Sequence, residues 1–157
     1  MKVSQSLLPS LLDRLIDDTP LHSSGIAQSF TWQKMRKSVR QDLENLLNAK
    51  GRWHIWPKHF QELDHSLFSY GLPDFSTMPL SSLDGKQALC QSIEETIRKF
   101  EPRFADVAVT IVGDELPEDR ILRLRIHALF HATPEPEEVT FDSEIEPVYL
   151  GIKISEA

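Results

Sequence analysis

Apolar residues recur every three or four positions in four stretches of the first hundred residues, and at every second position in the stretches that follow. The first spacing puts side chains on one face of a helix, and the second puts them on one face of a strand. The first predicted helix follows Pro9. Ser10-Leu11-Leu12-Asp13 fits a capping box, Leu11, Leu12, Leu15 and Ile16 make one stripe, and Asp17-Asp18-Thr19-Pro20 stops it. So short a helix is marginal alone and has to pack on something. Residues 21–30 read as a loop. The second helix is capped by Thr31, carries Trp32, Met35, Val39, Leu43, Leu46 and Leu47 on one face, and closes at Lys50 and Gly51. An irregular aromatic link, Arg52-Trp53-His54-Ile55-Trp56-Pro57, leads to a third helix over residues 59–70 through Leu63 and Leu67, which Gly71-Leu72-Pro73-Asp74 breaks. The fourth starts at another capping-box match, Ser81-Ser82-Leu83-Asp84, and shows Leu89, Ile93, Ile97 and Phe100 at successive turns. It ends near Phe100, because Pro102 disfavours the α region for Glu101.

From there the period is two. Residues 107–112 alternate β-branched side chains, and Gly113-Asp114 closes the run. Over residues 120–131, Leu122, Leu124, Ile126, Ala128 and Phe130 face one way, and Arg123, Arg125, His127 and His131 the other. This predicts a half-buried strand with a basic outer face. A turn at Thr133-Pro134-Glu135-Pro136 precedes a short strand, Val139-Thr140-Phe141. Val148, Leu150, Ile152 and Ile154 alternate in a last strand that Pro147 opens. Helices first and strands afterwards predict an α+β fold, with an antiparallel sheet of three to four strands. No repeat or dividing linker appears, so residues 1–157 read as a single domain.

Composition narrows the classes. At 157 residues with 40% hydrophobic content, the chain is long enough for one core. No apolar run reaches the ~18 residues of a membrane helix, and the first nine residues lack the apolar stretch of a secretory signal. One cysteine, Cys90, cannot form an internal disulfide, and a cytosolic chain is the expectation. The net charge of −7 is uneven. Residues 34–58 hold seven bases against Asp42 and Glu44, whereas residues 133–157 hold seven acids against Lys153. Either these are solvated faces that partly neutralise each other, or they are docking surfaces for partners of opposite sign. The acidic total and the lack of a nucleic-acid-binding signature argue against DNA or RNA.

Little catalytic chemistry is on offer. His127 and His131 on one strand stand about 13 Å apart, too far for one ion. His54, His59 and His65 lack ligand spacing, so no metal or cofactor is expected. Cys90 beside Leu89 reads as a small buried hydrophobe. There is no Gly-x-Ser-x-Gly elbow and no glycine-rich phosphate loop. Trp32, Trp53 and Trp56 read as core and core rim. Glu101 is the one candidate for a hydrolase acid, but its neighbour Arg103 favours the ionised form, the wrong direction for a general acid. The densest feature is Phe100-Glu101-Pro102-Arg103-Phe104. There Pro102 stiffens a helix-to-strand corner, two phenylalanines anchor it, and an acid and a forked base stand ready for a neighbouring chain. The alternative is a corner with a merely local ion pair.

With its flanking residues Ile97-Arg98-Lys99, this corner resembles the Glu-Pro-Arg signature of the GPW/phage baseplate wedge family. Further blocks resemble the type VI secretion branch of that family, the TssE subunits. These are Ser10-Leu11-Leu12-Asp13-Arg14-Leu15, Ser38-Val39-Arg40-Gln41-Asp42-Leu43-Glu44-Asn45-Leu46-Leu47-Asn48 and Ser66-Leu67-Phe68-Ser69-Tyr70-Gly71-Leu72-Pro73-Asp74, in that order. Phe104 replaces a common Leu. The likeness runs from about residue 9 to residue 112 and is least distinct in the aromatic link and the acidic tail. It implies a non-catalytic structural subunit of a contractile injection baseplate, cytoplasmic and docked near the inner membrane, without membrane insertion. The implied partners are the wedge subunits TssF, TssG and TssK and the sheath proteins TssB and TssC, whose polymerisation it helps start. Glu101, Pro102 and Arg103 are the implied partner-binding residues. Residues 1–30 are then a segment ordered by partners, and residues 31–157 the wedge-like domain. Some relatives carry a lysozyme-like label, which keeps a peptidoglycan hydrolase with Glu101 as acid as the alternative. An open strand edge offers a route to sheath strands by β-augmentation, and the acidic tail is expected to shield such an edge.

Overall fold

The computed structural model describes residues 15, 32–51, 57, 59–113, 121–131, 136–146 and 151–156. Its elements are α1 (Trp32–Asn48), α2 (Gln61–Asp64), a 3₁₀ turn (Leu67–Ser69), α3 (Leu83–Phe100) and strands β1 (Phe104–Ile111), β2 (Leu122–Phe130), β3 (Glu137–Glu146) and β4 (Gly151–Glu156). The strands form one antiparallel meander in the order β1-β2-β3-β4. The expected α+β fold is therefore present, with four strands. The first predicted helix lies outside the described residues, apart from Leu15, which is helical and exposed.

Two layers enclose the core. One face of the sheet, including Val107, Leu124, Ile126, Phe141, Ile145 and Ile152, is buried under the stripes of α1 and α3. Helix α3 packs chiefly on β1 and α1 on β4. The alternation in β2 holds throughout: Leu122, Leu124, Ile126, Ala128 and Phe130 are all buried. Trp32 packs edge-to-face on Phe130, which meets Phe104 in the same way, both at 5.3 Å. Cys90 is a buried free thiol, as expected. Burial first, and then the charge of Glu94, push it above its ordinary value.

Four expectations are corrected. First, Lys50 and Gly51 do not end the helix. It stops at Asn48, and Lys50 forms a parallel bridge with Leu72, with Gly51 N–H donating to Leu72 O at 3.0 Å and Leu72 N–H to Ala49 O at 2.9 Å. Gly71 makes this approach possible, because at φ +113° a Cβ there would lie 2.2 Å from Ala49 O. Second, the helix over residues 59–70 is two fragments. Ser66 Oγ and Ser69 Oγ both donate to Leu63 O, and Ser66 Oγ accepts from Phe68 N, so serine side chains take bonds that a continuous helix needs. Third, α3 is capped by Ser82, whose Oγ accepts from Gly85 N at 3.1 Å, one residue later than the capping-box match. Fourth, the strand at residues 139–141 extends over ten residues. Arg125 pairs with Asp142 at 2.7 Å and Arg123 with Glu144 at 3.4 Å across β2 and β3, and these contacts carry strand-averse acids into the sheet. Within the acidic tail, Asp142 and Glu144 are thus taken up by the basic face of β2.

Candidate functional site

The Glu101-Pro102-Arg103 corner joins the C-terminus of α3 to the start of β1. Glu101 is the C-cap. Its N–H closes the last helical turn onto Ile97 O at 2.8 Å, and its own carbonyl accepts from Phe104 N at 3.3 Å. Arg103 already belongs to the sheet margin, since its carbonyl accepts from His131 N at 2.8 Å. Between them Pro102 is exposed, and Phe104 is buried. Phe100 is half-buried. Its ring meets Tyr70 at 5.3 Å, and Lys99 Nζ lies 5.2 Å from its centroid.

The charges of the corner turn inward, which corrects the expected outward presentation. Glu101 is buried, with 8% of its side chain exposed. Arg103 folds back over it: Nε donates to Oε1 at 2.5 Å and Nη2 to Oε2, a forked pair with both carboxylate oxygens occupied. The same Nη2 donates to Asp42 Oδ2 at 2.6 Å, a residue of α1 that lies 61 positions away in the chain. One guanidinium thus ties α1, the end of α3 and the start of β1 together. Burial draws down the basicity of Arg103, but the hydrogen bonds and charges of Glu101 and then Asp42 more than reverse this and hold it above its ordinary value. Tyr70 completes the cluster. Burial first, then the charges of Asp42 and Glu101, push its phenol up. The remaining guanidinium nitrogen, Nη1, is buried with no acceptor among the described residues.

Sequence reasoning singled out Glu101, Pro102 and Arg103, and the structure brings them together. It missed Asp42 and Tyr70. Their signal was faint: Asp42 is one of two acids in an otherwise basic stretch and adjoins the core position Leu43. As an acid for hydrolysis Glu101 is badly placed, since both its oxygens bind Arg103 and a substrate would find neither. The groove of about 480 Å³ between α3 and β1 is lined by Gln87, Cys90, Gln91, Glu94, Val109, Thr110 and Ile111, so Glu101 is not part of it.

The profile of the family described as "Baseplate wedge protein gp25" matches residues 33–135, about two thirds of the chain. The chain belongs to the baseplate wedge protein gp25 family. That span takes in all of α1 but its first residue, the corner and all of β2, so the family is the one its Glu-Pro-Arg signature indicated. No curated protein matches this sequence. A chain of the solved structure "The baseplate complex from the type VI secretion system" aligns with a TM-score of 0.49 at 19% identity, covering 73% of this chain and 96% of that one. Among the described residues of this family member, no helix is long and apolar enough to cross a membrane.

Proposed function

We propose that this gp25-family chain is the TssE-type subunit of a type VI secretion baseplate, a non-catalytic part that joins the wedge and helps start the sheath. On this reading it is a single domain over residues 1–157 whose residues 1–30 are ordered by partners. It works in the cytoplasm, in a baseplate docked near the inner membrane, and contacts TssF, TssG, TssK and the TssB/TssC sheath. The family match over residues 33–135 supports the wedge part of the reading, and the observation that carries its non-catalytic part is the inward-locked fork of Glu101 and Arg103. A carboxylate with both oxygens committed to a guanidinium is a brace, not a proton donor.

The partner-binding role of Glu101, Pro102 and Arg103 is then divided. Glu101 and Asp42 fix the guanidinium, exposed Pro102 forms the tip, and the 22% of Arg103 that stays exposed is offered beside it. A partner carbonyl or carboxylate would meet the exposed part of the guanidinium beside Pro102. Co-purification with the neighbouring wedge subunits tests this. Arg103→Ala loses the complex, whereas Leu89→Ala, a core change that costs about 2–5 kcal/mol, keeps it at permissive temperature. Equal behaviour of the two variants would reduce the corner to a stability element. Turnover of purified peptidoglycan, abolished in Glu101→Gln, would overturn the non-catalytic reading.

A further inference from the structure

The segment between α1 and α3 holds its shape without a core of its own. Neither α2 nor the 3₁₀ turn buries a residue, and the two pack chiefly on each other. Polar bonds close the turn instead. The Leu63 carbonyl accepts from Ser66 Oγ at 2.8 Å and from Ser69 Oγ at 2.5 Å, and Tyr70 N–H donates to Leu67 O at 3.3 Å. The large apolar side chains nearby are left in solvent. Leu67 is 89% exposed, and Phe60 and Phe68 are each 49% exposed. One exposed leucine needs no explanation. Three large apolar side chains within nine residues, on a turn that polar bonds hold in place, form a preorganised surface.

The charge of this arm has one sign. Residues 60–74 contain Glu62, Asp64 and Asp74 and neither lysine nor arginine. Glu62 and Asp64 are exposed, and neither is ion-paired among the described residues. The arm also has a fixed root. Tyr70 meets the Phe100 ring at 5.3 Å, and Leu72 shares backbone hydrogen bonds with Ala49 and Gly51. Phe100 directly precedes Glu101, so the root of the arm lies beside the Glu101-Pro102-Arg103 corner.

We propose that Leu67, with Phe60 and Phe68, anchors a docking surface that fits an apolar pocket of a partner protein, rimmed with lysine or arginine. Resting on the baseplate reading above, this adds a second contact with the wedge subunits beside the corner, and the chemistry of what receives it. Leu67 enters the pocket because an apolar side chain on a fixed turn leaves water at little ordering cost. The rim is basic because Glu62 and Asp64 bring charge without a cation of their own. The same charge disfavours residues 1–30 as the occupant, since Asp13, Asp17 and Asp18 border their apolar stripe.

The test measures binding of the full chain to purified TssF, TssG and TssK by calorimetry, at about 0.05 M and about 0.5 M salt. Leu67→Ala weakens binding at least about tenfold without lowering the melting temperature, and Leu67→Met keeps most of the affinity. Reversing both acids, Glu62→Lys with Asp64→Lys, weakens binding by about tenfold at the lower salt and removes its salt dependence. Leu83→Ala, at a 65% exposed leucine that opens α3, changes nothing. Wild-type affinity in Leu67→Ala, or an equal loss in Leu83→Ala, overturns the anchor while the baseplate reading stands. Tighter binding by the charge-reversed chain overturns the basic rim. A wild-type chain that binds none of the three subunits overturns the occupant together with the baseplate reading. Wild-type dimers that Leu67→Ala abolishes overturn the partner in favour of a second copy.

Discussion

Removing the Arg103 guanidinium exposes how much the corner contributes to the fold. Arg103→Ala leaves Glu101, with 8% of its side chain exposed, and Asp42, with 26%, facing each other without a cation. Losing one partner of a fully buried pair costs about 3–5 kcal/mol, and losing an exposed one about 0–1 kcal/mol. The Glu101 half sets the scale. Because 22% of the Arg103 side chain meets solvent, water enters the space it leaves, and the discounted cost is about 2–3 kcal/mol. Asp42→Asn removes only the more exposed half and costs less than about 1 kcal/mol. With a urea m-value of about 1–3 kcal/mol/M, Arg103→Ala lowers the unfolding midpoint by about 0.7–3 M while the transition stays cooperative. Adding Glu101→Gln neutralises the stranded acid, so the double variant is more stable than Arg103→Ala alone. A midpoint within about 0.3 M of wild type, or a double variant no better than the single, would refute the brace.

Three other changes test separate parts of the structure. Tyr70 is held above its ordinary value of 10.0, so its contribution to stability is complete below that pH and is lost as pH rises through the value it has in the fold. In a tyrosinate absorbance titration, Tyr70→Phe removes a step that lies above 10.0 and also the alkaline loss of stability. Gly71→Ala sets a Cβ against Ala49 O at φ +113° and lowers the melting temperature by several degrees, for a cost of about 2 kcal/mol or more. Gly113→Ala, at φ +94° with nothing within 4 Å, costs about 1 kcal/mol, so equal melting shifts would count against the close approach at Gly71. Arg125 holds the Asp142 carboxyl below its ordinary range. The pair's contribution is therefore present at neutral pH and fades as pH falls through that lowered value. Arg125→Ala flattens this acid limb of the stability curve, and a limb unchanged in the variant would show that the pair contributes nothing.

Where side-chain burial alone decides an element, the residue pattern was sufficient. The stripe from Met35 to Leu47 and the alternation from Leu122 to Phe130 both reappear as core, since each needs only one partner layer. Where a bond to a distant residue decides, the pattern misled. Asp142, Ser143 and Glu144 argue against a strand until Arg125 and Arg123 are opposite them. Leu63 and Leu67 argue for one helix until Ser66 and Ser69 bond back to the backbone. The corner shows both sides. Its sharp turn follows from Pro102, but the inward direction of its charges depends on Asp42, which no local rule places there.

Three of the carboxylate–guanidinium pairs among the described residues share a chemistry and differ in what it can do. Glu101 and Arg103 are 8% and 22% exposed and joined by a fork. Separating them would strand a charge in the interior, so they hold geometry. Asp142 and Arg125, 39% and 40% exposed on the outer sheet face, exchange readily with water and mainly set strand register. In the third pair Glu94, at 24%, lies between the other acids, whereas Arg98, at 49%, is the most exposed guanidinium of the three. Arg98 and Glu94 also occupy Val107 C=O and Val109 N–H at the edge of β1. A sheet with both edges open would polymerise through both, so the β4 edge needs a fixed closure. Asn48 and Arg40 supply that closure from the helix packed on β4. Asn48→Ala opens β4 and turns the chain into one that self-associates edge to edge. Concentration-dependent sedimentation of Asn48→Ala, absent in wild type, is the expected result. A monomeric Asn48→Ala would mean that packing against α1, and not these hydrogen bonds, closes the edge.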